Sequence, residues 1–346
     1  MILKEISLRN FRNFRKREFI FSSGANLVVG PNMIGKTNLL EAIYLLSCGE
    51  SFRAGRIEEM VEEKRVVSHI ESLVERERGR LKLRIVLTRG MINGKMVPRR
   101  QFFLDGVKKT KANFVGNFLA VVFRPEDLDI IIDSPSVRRS FLNEVLVQSD
   151  REYYRSYLSY RKGLSSRNKV LESIREGRTS LKALFFWDRL LIENGELITR
   201  KREELISFLN DHQGLLGPIK IVYQKSIISL QRLEEKRNVE VAVGMTLVGP
   251  HRDDFSVFKN GHNLSIYGSR GEQRLAVLWL KMGQLKFLET VRQEKPVLLL
   301  DDIFSELDEG HRELVVEGID GYQAIITSTD KLPFLANKVN IIRFEN

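Results

Sequence analysis

The sequence predicts an α/β fold whose core is a mixed or parallel sheet, with a helical lobe inserted into it. Short apolar runs at 26–30, 297–300 and 324–326 are typical of central strands that are covered on both faces. A long segment between them, at 137–216, is rich in Arg, Glu, Leu and Tyr and has the character of consecutive helices. Because strand-like runs lie on both sides of this segment, we expect the α/β part to be discontinuous in sequence.

The first part of the chain is predicted to form strands followed by one helix. Ile6 and Leu8 alternate with polar residues, as in a half-buried strand, and a second apolar run follows at 19–21. Apolar residues then recur at helical spacing from Lys36, and Gly49 is the predicted helix end. Further strands are expected at 81–88, 102–107 and 118–123, with hairpin turns at Asn93-Gly94 and Asp105-Gly106.

Glycine and proline divide the rest of the chain. The expected breaks in the helical segment are Gly163, Gly177 and the cluster at 214–218. Strands at 219–223, 255–258 and 264–267, the last two joined by a hairpin at 259–262, precede a helix at 271–290. The predicted segments are therefore 1–133, 134–217 and 218–346, the second inserted into a fold that the other two form together.

Charge and cysteine content narrow the functional classes. The 346 residues include 56 Lys and Arg against 45 Asp and Glu, and the resulting net charge of +11 favours a polyanionic partner such as a nucleic acid. Cys48 is the only cysteine, which excludes disulfide frameworks and cysteine-ligated metal clusters. No run approaches the roughly 18 apolar residues that span a membrane, and the charged N-terminal segment is unlike a secretion signal. We therefore expect a cytoplasmic protein that is not embedded in a membrane.

The most specific motif lies between the first buried run and the first helix. Residues 30–37, GPNMIGKT, match G-x-x-x-x-G-K-[ST] in the strand–loop–helix context that this phosphate-binding loop requires. Backbone N–H groups would cradle phosphate oxygens, Lys36 would reach the β and γ phosphates, and the Thr37 hydroxyl would bind Mg²⁺. The residues expected around the nucleotide are Gly30, Pro31, Asn32, Met33, Ile34, Gly35, Lys36 and Thr37.

A second motif supplies the carboxylates that such a site needs. The apolar run at 297–300 is followed by Asp301 and Asp302. Asp301 is expected on the Mg²⁺ side, directly or through water, and Asp302 is placed to orient or deprotonate the water that attacks the γ-phosphate. For Asp302, a solvated charge at a strand end is a competing interpretation. Because Asp is shorter than Glu, slow hydrolysis is expected.

The spacing of the motifs is also informative. Thr37 and Asp301 lie 264 residues apart, much farther than in a small-molecule kinase or a GTPase. Just before the second motif, SRGEQ at 269–273 opens a predicted helix, and its Ser, its Gly and the helix N-terminus together form an anion-binding surface. The alternative is an ordinary capping box between Ser269 and Glu272. Both interpretations stay open.

Taken together, these motifs resemble the ABC-type P-loop ATPase heads of SMC-like DNA proteins, and specifically the RecF family. Transporter ATPases fit less well, because the LSGG that leads their signature is missing, hydroxyl residues at 327–329 replace their switch histidine, and no Q-loop glutamine precedes Pro125. The resemblance covers nearly the whole chain and depends on the phosphate loop, LRNFRNF at 8–14, RPEDL at 124–128, GPHRDD at 249–254, SRGEQ at 269–273 and LDDIFSELD at 300–308.

The resemblance implies a weak ATPase that binds ATP and Mg²⁺ and forms an ATP-dependent head-to-head homodimer. Lys36, Asp302 and Ser269 would be its catalytic residues, with Ser269 and Gly271 contacting the γ-phosphate held by Lys36 of the other subunit. The D-loop at 305–308 would cross the dimer interface. Arg12 and Asn13 would approach the nucleotide or, equally, form an exposed basic turn.

The family also implies DNA binding, with RecR and RecO as partners in placing RecA at single-strand gaps. In this interpretation, 1–133 is the part of the ATPase head that carries the phosphate loop. The part that carries the signature, the aspartate motif and the D-loop is 218–346, and 134–217 is the inserted lobe.

Two stretches concentrate positive charge and are predicted to contact DNA without base specificity. Tyr153, Tyr157 and Tyr160 in the second stretch repeat at helical spacing and are predicted to pack inside the fold instead of stacking on bases. The first stretch contains Arg89, Lys95, Arg99, Arg100, Lys108, Lys109 and Lys111, and the second contains Arg151, Arg155, Arg161, Lys162, Arg167, Lys169, Arg175 and Arg178.

Other functions stay open from the sequence. They are a nucleotide-gated SMC-like or OLD-like scaffold or ATPase that acts on DNA without recombinase loading, a scaffold without turnover, and a P-loop small-molecule kinase. The long separation between the motifs and the SRGEQ segment argue against the kinase. An OLD-like nuclease would need a further acidic domain after Asp301, where few residues remain.

Overall fold

A computed structural model describes residues 1–212, 218–305, 309–330, 332 and 339–344, and in them the chain forms sixteen strands and ten α-helices. The chain divides into two units, one formed by Met1–Asp127 with Gln284–Asn346 and the other by Leu128–Gly283. Among the helices of these described ranges, none is long and apolar enough to cross a membrane.

The first unit contains a five-stranded parallel sheet. Its strands in spatial order are β10 (Ala120–Phe123), β14 (Val297–Asp301), β15 (Ala324–Ser328), β3 (Ala25–Val29) and β16 (Val339–Arg343). Helix α1 (Lys36–Cys48) packs against β10, β14 and β15, and α10 (Glu309–Gly318) precedes β15. The central strands are buried, as parallel strands covered by helices are. Their carboxyl ends meet at one edge of the sheet.

An antiparallel sheet completes this unit. Its strands in spatial order are β2 (Phe14–Ile20), β1 (Ile2–Phe11), β4 (Val67–Arg76), β5 (Gly79–Thr88), β8 (Arg100–Leu104) and β9 (Val107–Lys109). A hairpin of β6 (Met91–Ile92) and β7 (Lys95–Met96) precedes β8, and the short helix α2 (Lys111–Phe114) follows β9. One hydrophobic cluster joins side chains of this sheet, of α1 and of the parallel sheet.

The strands predicted in this unit are confirmed with three differences, one of which is that β16 is not predicted. The predicted strand at 102–107 is divided into β8 and β9, because Asp105 and Gly106 both adopt positive φ and form a turn. The sequence analysis does not identify β4. Two of its inward positions are Ser68 and Ser72, which weaken the apolar alternation that marks a half-buried strand.

The second unit combines helices with a small antiparallel sheet. The sheet consists of β11 (Ile219–Gln224), β12 (Asp254–Lys259) and β13 (His262–Asn263). The helices are α3 (Asp129–Ile132), α4 (Pro135–Ser149), α5 (Arg151–Arg175), α6 (Phe185–Asp211), α7 (Leu230–Val243), α8 (Leu264–Tyr267) and α9 (Arg270–Arg292), the last of which continues past Gly283 into the first unit.

This unit is larger than the predicted insertion at 134–217. Strand β12 pairs with β11 and β13, so residues after 217 fold with the helices instead of with the parallel sheet. The prediction of a strand at 264–267 is wrong, because this segment forms the helical turn α8. The Asn263 side chain caps its start by accepting from the Ser265 N–H.

Gly163 does not break the helical segment as predicted. Helix α5 continues through it, and a Cβ atom at this position would lie 2.4 Å from Leu190 Cδ2 of α6. The glycine therefore permits the close approach of α5 and α6. Gly177, with φ of 72°, lies in the turn after α5. Most of the predicted break at 214–218 lies outside the described residues.

Buried charges hold the second unit together, and the GPHRDD segment at 249–254 takes part in them. Arg202 donates to Asp253 Oδ2 at 2.7 Å and to the Pro250 carbonyl at 2.7 Å, and both charged groups are buried. The backbone N–H of Ser226 donates to the other oxygen of Asp253. Since removal of one partner would leave a buried charge unpaired, this pair fixes the fold of the segment.

His251 of the same segment is held as a neutral imidazole. Its Nε2 donates to the Thr246 carbonyl at 3.0 Å, and its Nδ1 accepts from the Tyr160 hydroxyl at 2.8 Å. Burial, which is only partly offset by the bond to Thr246, lowers the pKa of His251 to about 4. The histidine therefore has a structural partner on each ring nitrogen.

The depressed pKa of His251 predicts acid-sensitive stability. Between its usual pKa of 6.5 and the folded value of about 4, the unfolded chain binds the proton and the folded chain does not. Stability from this residue is therefore present above pH 6.5 and is lost as the pH falls toward 4, by about 3 kcal/mol in total. Urea unfolding at pH 7.5 and 4.5 should show a larger loss for the wild type than for His251→Gln. Equal losses in the two proteins would contradict this assignment.

Candidate phosphate-binding site

The predicted phosphate loop connects β3 to α1 at the carboxyl edge of the parallel sheet. Two of its glycines are required by geometry. A Cβ atom on Gly30 would lie 2.8 Å from Phe344 Cβ, and Gly35 has φ of 113° with a side-chain position that Asn13 fills. Met33 also adopts positive φ, at 66°, and its side chain is fully exposed. The loop thus holds a backbone shape that L-residues rarely adopt.

Lys36 is buried at the base of the loop. Its Nζ donates to the carbonyls of Gly30 at 2.6 Å and Pro31 at 3.0 Å. Burial lowers the pKa of Lys36, and the nearby Asp302 and Asp301 oppose that shift. These two carbonyls hold Lys36 inside the loop. An ammonium group has three N–H donors, so they use two of the three.

The two predicted metal-binding residues are in direct contact. Thr37 Oγ1 donates to Asp301 Oδ1 at 3.0 Å, although the two residues lie 264 positions apart. Thr327 at the end of β15 donates to the same carboxylate oxygen at 2.9 Å. Burial raises the pKa of Asp301, and the two hydroxyl bonds counteract this rise. A buried carboxylate beside two hydroxyls is a donor set suited to a hard divalent cation.

A magnesium ion at this point would need oxygen ligands from elsewhere. Within the described part of the chain, no cluster of three or more His, Cys, Asp or Glu side chains could hold a metal. Magnesium keeps several waters and is bound through few carboxylates together with substrate phosphates. The Thr37–Asp301 pair fits that requirement as the protein's share of the ligands.

Asp302 follows in a constrained backbone conformation. Its φ is 49°, in the left-handed region that Asp tolerates better than most residues. Its N–H donates to Thr327 Oγ1 at 3.0 Å, and its carbonyl accepts from the Ser305 hydroxyl at 2.6 Å. The side chain of Asp302 is half-buried. Strained backbone of this kind clusters at functional sites, because the surroundings must maintain it.

Arg12 lies in the turn between β1 and β2 and is engaged by protein groups. Arg12 forms a bidentate ion pair with the buried Glu41 of α1, in which Nε donates to Oε2 at 2.8 Å and Nη2 donates to Oε1 at 2.7 Å. It also donates to the Glu59 carbonyl. Ser51 donates to Glu41 as well. The guanidinium is thus an anchor for α1, and its predicted approach to the nucleotide stays a prediction.

Three further residues lie near the loop: Asn13, which the resemblance already placed near the nucleotide, and Thr327 and Asp330, which are not among the sequence-predicted site residues. Asn13 donates to the Ile34 carbonyl and accepts from Asn38, which ties the β1–β2 turn to the phosphate loop. Asp330, just after β15, contributes a negative potential at Lys36. Thr327 contacts both aspartates of the second motif. The position of β15 between β3 and β14 is the signal that would have identified Thr327 and Asp330, because it brings the carboxyl end of β15 to the phosphate loop.

Ser269 and Gly271 belong to the second unit, whereas the phosphate loop belongs to the first. Ser269 forms a capping box with Glu272. Its N–H donates to Glu272 Oε2 at 3.1 Å, and the Glu272 N–H donates to the Ser269 hydroxyl at 3.3 Å. Gly271 is exposed. Of the D-loop, Ser305 is described, and 306–308 lie outside the described residues.

The first basic stretch is largely engaged within its own unit. Lys95, Lys108 and Lys109 are exposed. The others have partners: Arg89 donates to the carbonyls of Val61, Glu62, Glu63 and Arg65, Arg99 pairs with Glu58, Arg100 donates to the Gly49 carbonyl, and Lys111 pairs with Glu50.

The second basic stretch presents a charged helix face. Arg155, Lys162 and Lys169 are exposed on α5 at intervals of seven residues, which places them on one side of the helix. Arg167, in contrast, is buried with Asp188 at 2.7 Å and Glu240 at 2.8 Å. The inward packing predicted for the tyrosines is confirmed, since Tyr153 and Tyr160 are buried and Tyr157 is half-buried.

Comparison with known proteins identifies the family of the chain. A family model of the RecF/RecN/SMC N-terminal domain matches residues 2–344. The "DNA replication and repair protein RecF" of Caldanaerobacter subterraneus is 35% identical, covering 96% of this chain and 95% of that protein. The protein of the same name from Lachnoclostridium phytofermentans is 32% identical over 99% and 97%.

Solved structures give the same result. A structure described as the recombination mediator protein RecF with ATP in the RecFOR pathway has a TM-score of 0.87 and 34% identity, covering 96% of this chain and 92% of that chain. The Smc head domain of Pyrococcus furiosus, at 16% identity, covers 95% of this chain and 89% of that chain with a TM-score of 0.51, which supports the ABC-type ATPase head fold alone. The chain belongs to the RecF family of SMC-like ABC ATPases.

Proposed function

We propose that the chain is an ATP-dependent DNA-binding protein of replication and recombinational repair, with weak ATPase activity. The observation that carries the proposal is the convergence of Lys36, Thr37, Asp301 and Asp302 at one edge of the parallel sheet. A solved structure that covers 96% of this chain is described as RecF with ATP, which supports ATP as the nucleotide.

Binding of ATP would exchange internal contacts of the loop for phosphate contacts. Lys36 would release the carbonyls of Gly30 and Pro31 for the β and γ phosphate oxygens. Loop N–H groups and the N-terminus of α1 would add further donors. Thr37 and Asp301 would hold Mg²⁺, and the bound cation would neutralise negative charge on the phosphate oxygens.

Hydrolysis would then depend on Asp302. Its carboxylate would orient a water and accept a proton from it while the water oxygen attacks the γ-phosphorus. The bond to the β–γ bridging oxygen breaks, and ADP and inorganic phosphate leave. Thr327 fixes the backbone of Asp302 and the carboxylate of Asp301 with one hydroxyl. The short Asp side chain reaches less far than Glu, which accounts for a low rate.

The dimer and the partners rest on family membership. The proposed dimer brings the Ser269 segment of one subunit to the γ-phosphate on the other, so that ATP controls assembly. Sequence-independent DNA binding at single-strand gaps or junctions, and cooperation with RecR and RecO in loading the recombinase, complete the proposed role. A cytoplasmic location follows from that role.

The first test separates ATP binding from turnover. Lys36→Met should abolish ATP binding, because it removes the cation that meets the phosphates. Asp302→Asn should keep binding within a few-fold and lower the hydrolysis rate by 10²-fold or more, about the contribution of a positioned general base. Filter binding with labelled ATP and a phosphate-release assay measure the two effects. Wild-type protein that binds ATP without releasing phosphate would identify a scaffold without turnover instead.

The second test addresses the dimer. Ser269→Arg should abolish ATP-dependent dimerisation in sedimentation velocity experiments while leaving ATP binding by the monomer intact, since the phosphate loop lies in the other unit. Ser165→Arg, the same substitution at an exposed serine of α5, is the matched control. It should retain ATP-dependent dimerisation, because it leaves the Ser269 segment unchanged. Dimerisation that persists in Ser269→Arg would contradict the proposed contact.

The third test concerns the exposed cations of α5. Replacing Arg155, Lys162 and Lys169 together by Gln should lower the slope of log affinity against log salt by about 3, since each lost phosphate contact contributes about 0.9. Fluorescence anisotropy with a labelled duplex at several salt concentrations measures this slope. The control replaces Lys16, Lys64 and Lys236, which are exposed outside both basic stretches. An equal decrease in the control would show a diffuse charge effect and contradict a defined DNA-contacting face.

A further inference from the structure

The turn between α5 and α6 exposes two adjacent aromatic side chains. After Gly177 the chain passes through a short 3₁₀ turn at Leu181–Leu184 and enters α6 at Phe185. Phe185 is 74% exposed and Phe186 is 62% exposed, whereas every other phenylalanine of the described residues is buried or half-buried. Exposed aromatic side chains that contribute nothing to the core indicate a binding surface.

Positive charge flanks the two phenylalanines. Lys182 lies in the 3₁₀ turn, three residues before Phe185. Arg189 lies on α6, four residues after Phe185 and three after Phe186, a spacing that places it on the same side of the helix as the two rings. Lys182 is exposed. Arg189 pairs with Glu193, but both side chains are mostly exposed, and such a surface pair exchanges readily for another anion. We call Lys182, Phe185, Phe186 and Arg189 the turn surface.

The buried Asp188 does not oppose this charge. Asp188 lies within the same turn of α6, but its side chain is buried and accepts from Arg167 at 2.7 Å. The carboxylate is thus neutralised inside the unit. The turn surface therefore combines exposed aromatic rings with cations, of which Arg189 is paired with the exposed Glu193.

Aromatic faces with flanking cations match the chemistry of unpaired nucleic acid. Bases that are not paired stack on exposed rings, and cations beside the rings follow the phosphates. Duplex DNA offers phosphates but keeps its bases stacked within the helix, so it gains little from the rings. A stable protein interface buries about 800 Å² on each partner, which two side chains cannot supply alone. The observations thus favour single-stranded DNA as the occupant.

We propose that the turn surface is a binding site for single-stranded DNA, in which Phe185 and Phe186 stack on unpaired bases and Lys182 and Arg189 contact the adjacent phosphates. This inference rests on the proposed DNA-binding function and adds to it the residues that contact the unpaired strand. The exposed cations of α5 contact phosphates in any DNA, whereas the turn surface distinguishes single strands from duplex.

The protein carries a natural reporter beside the turn surface. The half-buried Trp187 ring lies 4.9 Å from the Phe186 ring at an interplanar angle of 80°. Trp279, the other tryptophan of the chain, is buried in α9. In the Trp279→Phe variant, fluorescence therefore comes from Trp187, and a base that stacks on Phe186 quenches it.

The experiment uses the full chain with ATP and Mg²⁺ at saturating concentrations. Titration with oligo(dT) and with a duplex of equal length, followed by anisotropy, gives the two affinities. The double variant Phe185→Ala with Phe186→Ala should bind oligo(dT) about 10-fold or more weakly, the scale of one lost stacking contact, and should bind duplex within two-fold of the wild type. Quenching of Trp187 by oligo(dT) should disappear with it.

The control carries Ile20→Ala with Val107→Ala, two exposed apolar residues of the first unit. It should retain both affinities and the quenching, and circular dichroism verifies that each variant folds. Unchanged oligo(dT) affinity and quenching in the phenylalanine variant would overturn the proposal and assign the patch to a protein partner. A wild-type chain that binds neither form of DNA would instead contradict the proposed function, and this site with it.

Discussion

The Asp301 carboxylate is the point on which the rest of the first unit depends. It accepts from Thr37 at the start of α1 and from Thr327 at the end of β15, so one oxygen joins two strands and a helix at the carboxyl edge of the sheet. The strand order β14–β15–β3 makes this possible, because it places β15 between the two motif-bearing strands. Adjacent parallel strands must be joined by long crossover connections. The connection from β10 to β14 contains the whole second unit.

The electrostatics of this edge favour a bound phosphate with its cation. Burial raises the pKa of Asp301 and lowers that of Lys36, so each charge is less stable there than in water. Both are held by neutral dipoles, hydroxyls for the carboxylate and carbonyls for the ammonium. A phosphate beside Lys36 would add to the negative potential of Asp301, Asp302 and Asp330, and a divalent cation would stabilise the Asp301 carboxylate. The loop is therefore built to be completed by its ligand.

The sequence predicts the parts of this arrangement whose signal is local. The phosphate loop, the strand before it and the end of α1 at Gly49 follow from short apolar runs and glycine positions. The role of Thr327 depends on strand order, which no local pattern encodes. The second unit was underestimated for a similar reason, since β11 and β12 pair with each other, and their apolar alternation alone does not reveal the partner. Gly163 was misjudged because a glycine that permits helix contact and one that ends a helix look the same in sequence.

Ser269 shows how a structural role and a proposed functional role are compatible. Its hydroxyl accepts from the Glu272 N–H and lies near Glu272 Oε2, so the side chain is already fixed at the N-terminus of α9. Hydrogen bonds with Ser269 lower the pKa of Glu272 and keep this carboxylate ionised. A γ-phosphate that approached would meet the positive end of a 23-residue helix together with a hydroxyl whose rotamer is set in advance. The negative charge of Glu272 opposes that approach, and Lys259, at 3.5 Å from its other oxygen, partly neutralises it. The cap thus orients the serine for its proposed contact, so that a capping box and a signature segment are one arrangement and not two competing ones.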